Sequence, residues 1–252
     1  MQLKSGIQLR LTGDSAEPAQ VGVIHNLIPI QPLNSERDSE AADFFNHLHN
    51  ILFLDAVKRG VIEFKFRARK IFASHIKDKL DWLGVNYYSR LVVQGERSII
   101  VKLFTGIHSM PEPVKGYGFY CDPNSRSLDG RPSSDFGWEV YPEGLEESLK
   151  LASKYKVPLM ITENGIADSM DSIRPSFIVT HLKVLERLIE EGLEIKGYLH
   201  WALTDNYEWA HGFRMKFGLY AVDLSTKKRI KRRSAEMYRK IVEMGEVPKE
   251  PI

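Results

Sequence analysis

One cysteine in 252 residues, Cys121, leaves no intrachain disulfide and no Cys-rich zinc site to hold the fold. A lone thiol is the usage of a reducing compartment. No run approaches the ~18 apolar residues that a membrane-spanning helix needs. The N-terminal stretch MQLKSGIQLRLTGDSAEPAQ has no continuous apolar core of the kind a signal peptide carries. Charge of one sign is not in excess either: 35 Lys and Arg face 33 Asp and Glu, a net +2. That balance gives no electrostatic footprint for nucleic acid or for a membrane surface. The one basic cluster, KKRIKRR at 227–233, reads first as a solvated loop and helix start. Internal repeats and low-complexity tracts are missing too. The chain therefore reads as a cytoplasmic globular protein, long enough for one large domain or two small ones.

Organisation is legible in the apolar runs. VGVIHNL (21–27), LDWLGVNYY (80–88), PLMITENG (158–165) and IKGYLHWAL (195–203) read as strands. Between and after them come helical patterns over 34–60, 142–156, 174–192 and 234–245. Gly60 and Gly192 are stops, Pro142 is a start, and Ser234 is an expected N-cap. Residues 89–137 are polar, rich in glycine and without periodicity, and a loop of that length is usually functional. The four strands are apolar along their length rather than alternating. Helices on both faces would bury such strands, which is the signature of a parallel sheet in an α/β protein.

Chemistry collects at the carboxyl ends of these strands. Asn86, Tyr87 and Tyr88 end the second, and Glu163 and Asn164 the third. His200 and Trp201 end the fourth, followed by Asp205, Asn206, Glu208 and Trp209 in its loop. Parallel α/β folds place their active sites on that side. Flat apolar rings beside carboxylates suit a sugar, with its apolar C–H faces and rim of hydroxyls, and a rigidly held glutamate can attack an anomeric carbon. Each residue also has a plainer reading. A glutamate at a strand end is more often a turn or salt-bridge residue. Asn-Gly is a common turn signal. Trp and Tyr in apolar strands are mostly core, and His200 reads equally as a core histidine. Metal chemistry has little support, since His47 and His49 are two apart and fall on different faces of a helix.

Four strings carry a resemblance: DWLGVNYYSR (81–90), SDFGWEVYPEGL (134–145), ITENGIAD (161–168) and GYLHWALTDNYEWAHGFRMKFGLYAVD (197–223). They resemble the family 1 glycoside hydrolases, most of all the archaeal β-glycosidases acting on β-glucosides and β-galactosides, from about Val21 to Val247. The resemblance implies a (β/α)8 barrel and a retaining mechanism without a cofactor or metal. It makes Glu163 the nucleophile and Tyr88 the residue that orients it. Glu208 and Trp209 become the pair that holds sugar hydroxyls, Trp201 the ring under the sugar, Phe217 an aromatic of the pocket wall, and Asn86 the asparagine of its strand. Asp205 and Asn206 would shape the loop.

The chain also departs from the family pattern. Its four strands match the fifth to eighth of the family's eight, so the expected fold is the C-terminal half of a (β/α)8 barrel, over 19–252. Residues 1–18 stand apart as a segment unlike the family, with Ile7, Leu9 and Leu11 alternating as in a strand fragment. No Asn-Glu-Pro occurs; PEP at 111–113 is the nearest string, and Lys231-Arg232-Arg233-Ser234 lacks the proline that relatives place before the serine. The resemblance puts the general acid/base in Asn-Glu-Pro, in the other half. Four strands of a barrel expose two edges and an apolar inner face. The expected partners are a β-linked sugar and a second chain supplying the N-terminal half, or self-association. The competing reading is a carbohydrate-binding or truncated product without independent activity.

Overall fold

The structure is a computed structural model, and it describes residues 19–64, 69–97, 99, 102–103 and 108–249. Residues 1–18, set apart above, lie outside these. Strand β1 (Gly22–Asn26) is followed by a short β2 (Ile30–Pro32). Helix α1 (Glu36–Asn46) opens on a capping box: the Asp38 N–H donates to the Ser35 hydroxyl and the Ser35 N–H to the Asp38 carboxylate. A π-helical turn at His47–Ile51 separates α1 from α2 (Leu52–Arg59), so the expected helix over 34–60 is present but interrupted. The interruption aims Asn50 at the end of β1. There its amide donates to the Ile28 carbonyl at 2.7 Å and accepts from the Ile28 N–H at 3.1 Å. Gly60 ends α2 at φ +68, as its position predicts.

A hairpin of β3 (Val61–Phe64) and β4 (Arg69–Phe72) comes next, which the sequence pattern did not announce. Then follow β5 (Trp82–Tyr87), β6 (Leu91–Glu96), β7 (Met110–Pro113), α3 (Pro142–Ser153), β8 (Leu159–Asn164), α4 (Arg174–Glu190), β9 (Ile195–His200), β10 (Tyr220–Val222), β11 (Arg229–Lys231) and α5 (Arg233–Met244). The four expected strands pair in the order β1-β5-β8-β9, all parallel. Residues 89–137 are not wholly irregular: β6 and β7 form a second sheet with β2, because β1 and β5 run on side by side past their ends as β2 and β6. Ser234 is not the N-cap of α5. It lies inside the first turn and gives both its N–H (2.8 Å) and its hydroxyl (2.5 Å) to Asp171, so the capping acceptor comes from another loop.

Helices cover one face of the parallel sheet. Leu83, Val85 and Tyr87 of β5 and Leu159 and Ile161 of β8 pack against Leu54 of α2, Leu145 and Leu149 of α3, and Leu185 and Leu188 of α4. Among the described residues the opposite face is not covered as the apolar strands predicted. Ile24, Gly84 and Thr162 line up across it. Ile24 is 52% exposed and Leu199, facing away from the packed Tyr198, is 50% exposed. This wet inner lining is what four strands of a barrel would show.

Two positions tie this scaffold to measurable stability. Gly165, just past β8, lies under the Trp201 carbonyl; a Cβ there would sit 1.8 Å from that oxygen. Backbone on both sides leaves nothing to swing away, so Gly165→Ala is expected to lower unfolding stability by roughly 2–3 kcal/mol in urea titration. His181 of α4 is fully buried, stacked on Phe177 with its Nδ1 on the Phe177 carbonyl at 2.7 Å. Burial lowers its pKa from 6.5 to about 4. The unfolded chain then binds a proton that the folded chain refuses. Stability is therefore lost as pH falls from about 6.5 towards 4, by on the order of 3 kcal/mol from this residue. Urea midpoints measured across that range should fall more steeply for the parent chain than for His181→Gln.

Candidate active site

The register of β8 decides where Glu163 points. Val85 of β5 pairs with Ile161, but Asn86 pairs with Glu163, so Thr162 and Glu163 together oppose one residue of β5. The other neighbour agrees: Tyr198 pairs with Ile161 and His200 with Asn164. This is a β-bulge, one extra residue in β8. Ile161 faces the helices and Thr162 the inner side, where its hydroxyl donates to Asn86 Oδ1 at 2.7 Å. Strict alternation would send Glu163 back to the helices. The bulge keeps it inside, and Asn164 takes the buried place instead, bonding Tyr87 O at 2.9 Å and receiving the Tyr198 hydroxyl at 2.9 Å.

Tyr88 lies just beyond β5 and donates its hydroxyl to Glu163 Oε2 at 2.6 Å. Burial raises its pKa well above the usual value, with the hydrogen bond to Glu163 and the charges of Glu163 and Glu208 adding to the rise. Tyr88 thus stays protonated and remains a donor. Glu208 is held in turn by Trp201 Nε1–H (3.2 Å) and the Asn206 amide (2.6 Å), both donating to Oε1. The loop is pinned one residue earlier. Asp205, buried, receives Arg232 at 2.8 and 3.1 Å and the Gly218 N–H at 3.0 Å. Arg232 is thus the member of the basic cluster that does not belong to a solvated loop.

Most of the expected site residues meet. Glu163, Tyr88 and Asn86 share one rim, and Trp201 and Glu208 share another joined to it through the Trp201 N–H, which donates to Asn164 O at 2.9 Å. Phe217 is buried with its ring edge-on to Tyr88, centroids 6.2 Å apart. Trp209 is the exception: it is 87% exposed at φ +46 and stands off the rim. His200 behaves as a core histidine. It lies 3.3 Å from the Tyr198 hydroxyl, and its pKa is lowered to about 3 by burial and by the charge of Arg174.

The residue-by-residue reading missed an aromatic wall and its anchor. Trp138 packs edge-on against Tyr88 (5.5 Å) and Phe119 (5.2 Å), and Phe136 stacks on it at 4.5 Å. Next to Trp138, Glu139 is buried and receives Arg90 at 2.8 and 3.1 Å and the Gly118 N–H at 2.9 Å. Arg90 also donates to Gln31 at 2.7 Å and lies over the Tyr141 ring at 4.2 Å. Arg90 follows Tyr88 by two residues and Glu139 adjoins Trp138, so this ion pair clamps both rings. The signals were the density of Phe136, Trp138 and Tyr141 in an otherwise polar stretch and their place in the family-like string SDFGWEVYPEGL.

Comparison with known proteins follows the geometry. The sequence profile of Glycosyl hydrolase family 1 matches residues 3–247, taking in most of the segment set apart as 1–18. A β-galactosidase of Pyrococcus woesei is 48% identical over 246 residues, covering 94% of this chain but 46% of that protein. The crystal structure of a β-glucosidase from Pyrococcus furiosus is similar at TM-score 0.75 and 41% identity, over 91% of this chain and 43% of that one. For the β-glycosidase of Thermosphaera aggregans the TM-score is 0.77, at 41% identity, over 91% and 44%. The chain spans about half the length of the relatives it matches, and its parallel sheet is half of a (β/α)8 barrel. Sheet, rim and sequence agree: this chain belongs to glycosyl hydrolase family 1.

Proposed function

We propose that this chain is the nucleophile-bearing half of a retaining β-glycosidase acting on β-glucosides and β-galactosides. The observation that carries the reading is the Tyr88 hydroxyl on Glu163 Oε2 at 2.6 Å. A protonated tyrosine holds one carboxylate oxygen and leaves the other to attack an anomeric carbon. Trp201 supplies a ring beneath the sugar, Phe217 its wall, and Glu208, paired with Trp209 by the family resemblance, an acceptor for its hydroxyls, with Asn86 steadying the floor. A carboxylate at Glu208 favours neutral sugars over phosphorylated ones, by charge repulsion. The single cysteine fits a reducing compartment, so the reading includes a cytoplasmic location.

A retaining enzyme needs a second carboxyl group about 5–5.5 Å from the nucleophile as acid and base. Among the described residues nothing bonds to Glu163 in that role. Among the described residues β1 and β9 are the sheet's outer strands and the inner lining is exposed, which supports the reading that further strands, on this polypeptide or on another, complete the sheet and bring the acid. A second copy of this chain is a poorer cover, because it would bring another nucleophile and again no acid.

The tests are direct. In an assembly with the N-terminal half of a relative, a 2-deoxy-2-fluoro glycoside is expected to label Glu163. Labelling elsewhere, or none in an active assembly, removes Glu163 as nucleophile. In the same assembly Tyr88→Phe should lower kcat about 100-fold and leave KM within about threefold. The chain alone should self-associate or aggregate in sedimentation; a stable, monodisperse monomer would sink the need for a partner.

A further inference from the structure

Asn206 was expected only to shape its loop, but its side chain does something more specific. Its amide N–H2 donates to Glu208 Oε1 at 2.6 Å, the same oxygen that takes the Trp201 indole N–H at 3.2 Å. To do so the amide leaves its own Oδ1 out of solvent with no partner among the described residues. A buried, unsatisfied acceptor is costly and calls for a reason. Turning the amide over would not relieve it, since Oδ1 would then face the carboxylate. The backbone gives the side chain no other choice. Asp205 is locked by Arg232, its N–H donates to Tyr220 O at 3.0 Å, and the Glu208 N–H and C=O close tight turns with Gly212 (2.7 Å) and His211 (2.8 Å).

Resting on the function proposed above, we infer that Asn206 is a positioning residue for specificity. Together with Trp201 it saturates Oε1 of Glu208, so that Oε2 alone is offered to the sugar, in one direction and already ordered. A free glutamate would lose rotamer freedom on binding. Preordering removes that cost before the ligand arrives. The hydroxyl pattern of the sugar is then read by one oxygen of fixed aim, and a change in that aim alters the preference between sugars differing at one hydroxyl.

The test uses the full chain assembled with the N-terminal half of the Pyrococcus woesei relative. In the assembly, Asn206→Ala is expected to raise KM for nitrophenyl β-glucoside and β-galactoside unequally, by about tenfold for the preferred one, with kcat within about threefold. In a Glu208→Ala background the same substitution should have almost no further effect. Asn206→Asp places a second carboxylate against Glu208. It should be worse than Asn206→Ala at neutral pH and recover as pH falls, when the new carboxyl regains a proton to donate. An effect that persists in full without Glu208, or no acid recovery, overturns the inference. A second arm needs no turnover. The Trp201 indole N–H resonance, identified by its loss in Trp201→Phe, should move in the same direction in Asn206→Ala and in Glu208→Ala. A resonance unmoved by Asn206→Ala overturns the inference, whereas an inactive parent assembly with a moving resonance overturns only the glycosidase reading.

Discussion

The site depends on one extra residue in β8. The seam between β5 and β8 is fixed from the helix side, where Leu83, Val85, Leu159 and Ile161 are wholly or nearly wholly buried. Such a seam specifies its register strongly, since a slip by one residue would turn every apolar side chain to the wrong face. The bulge at Thr162 and Glu163 lets the strand keep that register and still deliver a carboxylate to the opposite side. Tyr88, Asn86 and the Trp201 backbone are then placed by the strands on either flank. The surroundings of Glu163 thus follow from packing on the other face of the sheet.

Polar clamps extend the same precision into the loops. Arg90 and Glu139 hold the aromatic wall, Asp205 and Arg232 hold the loop that carries Glu208, and Arg174 is buried under the loop of Asp168 and Asp171, donating to Lys216 O at 2.6 Å beside Phe217. Buried ion pairs of this kind contribute little net stability but tolerate few alternative arrangements. Here each joins a strand end to a segment far along the chain, so a loop of many residues is left with one conformation.

Much of this was legible in advance because the two strongest signals, apolar runs and glycine or proline stops, are local. The four strands and three of the helical boundaries, at Gly60, Pro142 and Gly192, rest on such signals. Glu163, Tyr88, Trp201, Glu208 and Phe217 were singled out because strand ends concentrate function and because their strings resemble a family. The bulge was not visible, since ITEN reads the same in or out of register. Nor was the role of Asn206, which exists only once a turn brings it back on Glu208. The sheet of β2, β6 and β7 was hidden by its pairing: Ile30 to Pro32 is too short a strand to recognise without its neighbour Leu91 to Val93. The run of apolar residues in β1 and β9 predicted cover on both faces, whereas the described residues cover one.

Ile24 and Leu199 lie on an inner face that is half exposed among the described residues. Any segment that packs there, on this polypeptide or on another, stabilises the fold by mass action, in step with the logarithm of its free or effective concentration. A tethered segment covers the lining at a high and constant effective concentration, whereas a separate one covers it only when supply is sufficient. The same apolar face therefore sets a different dependence on abundance in the two cases.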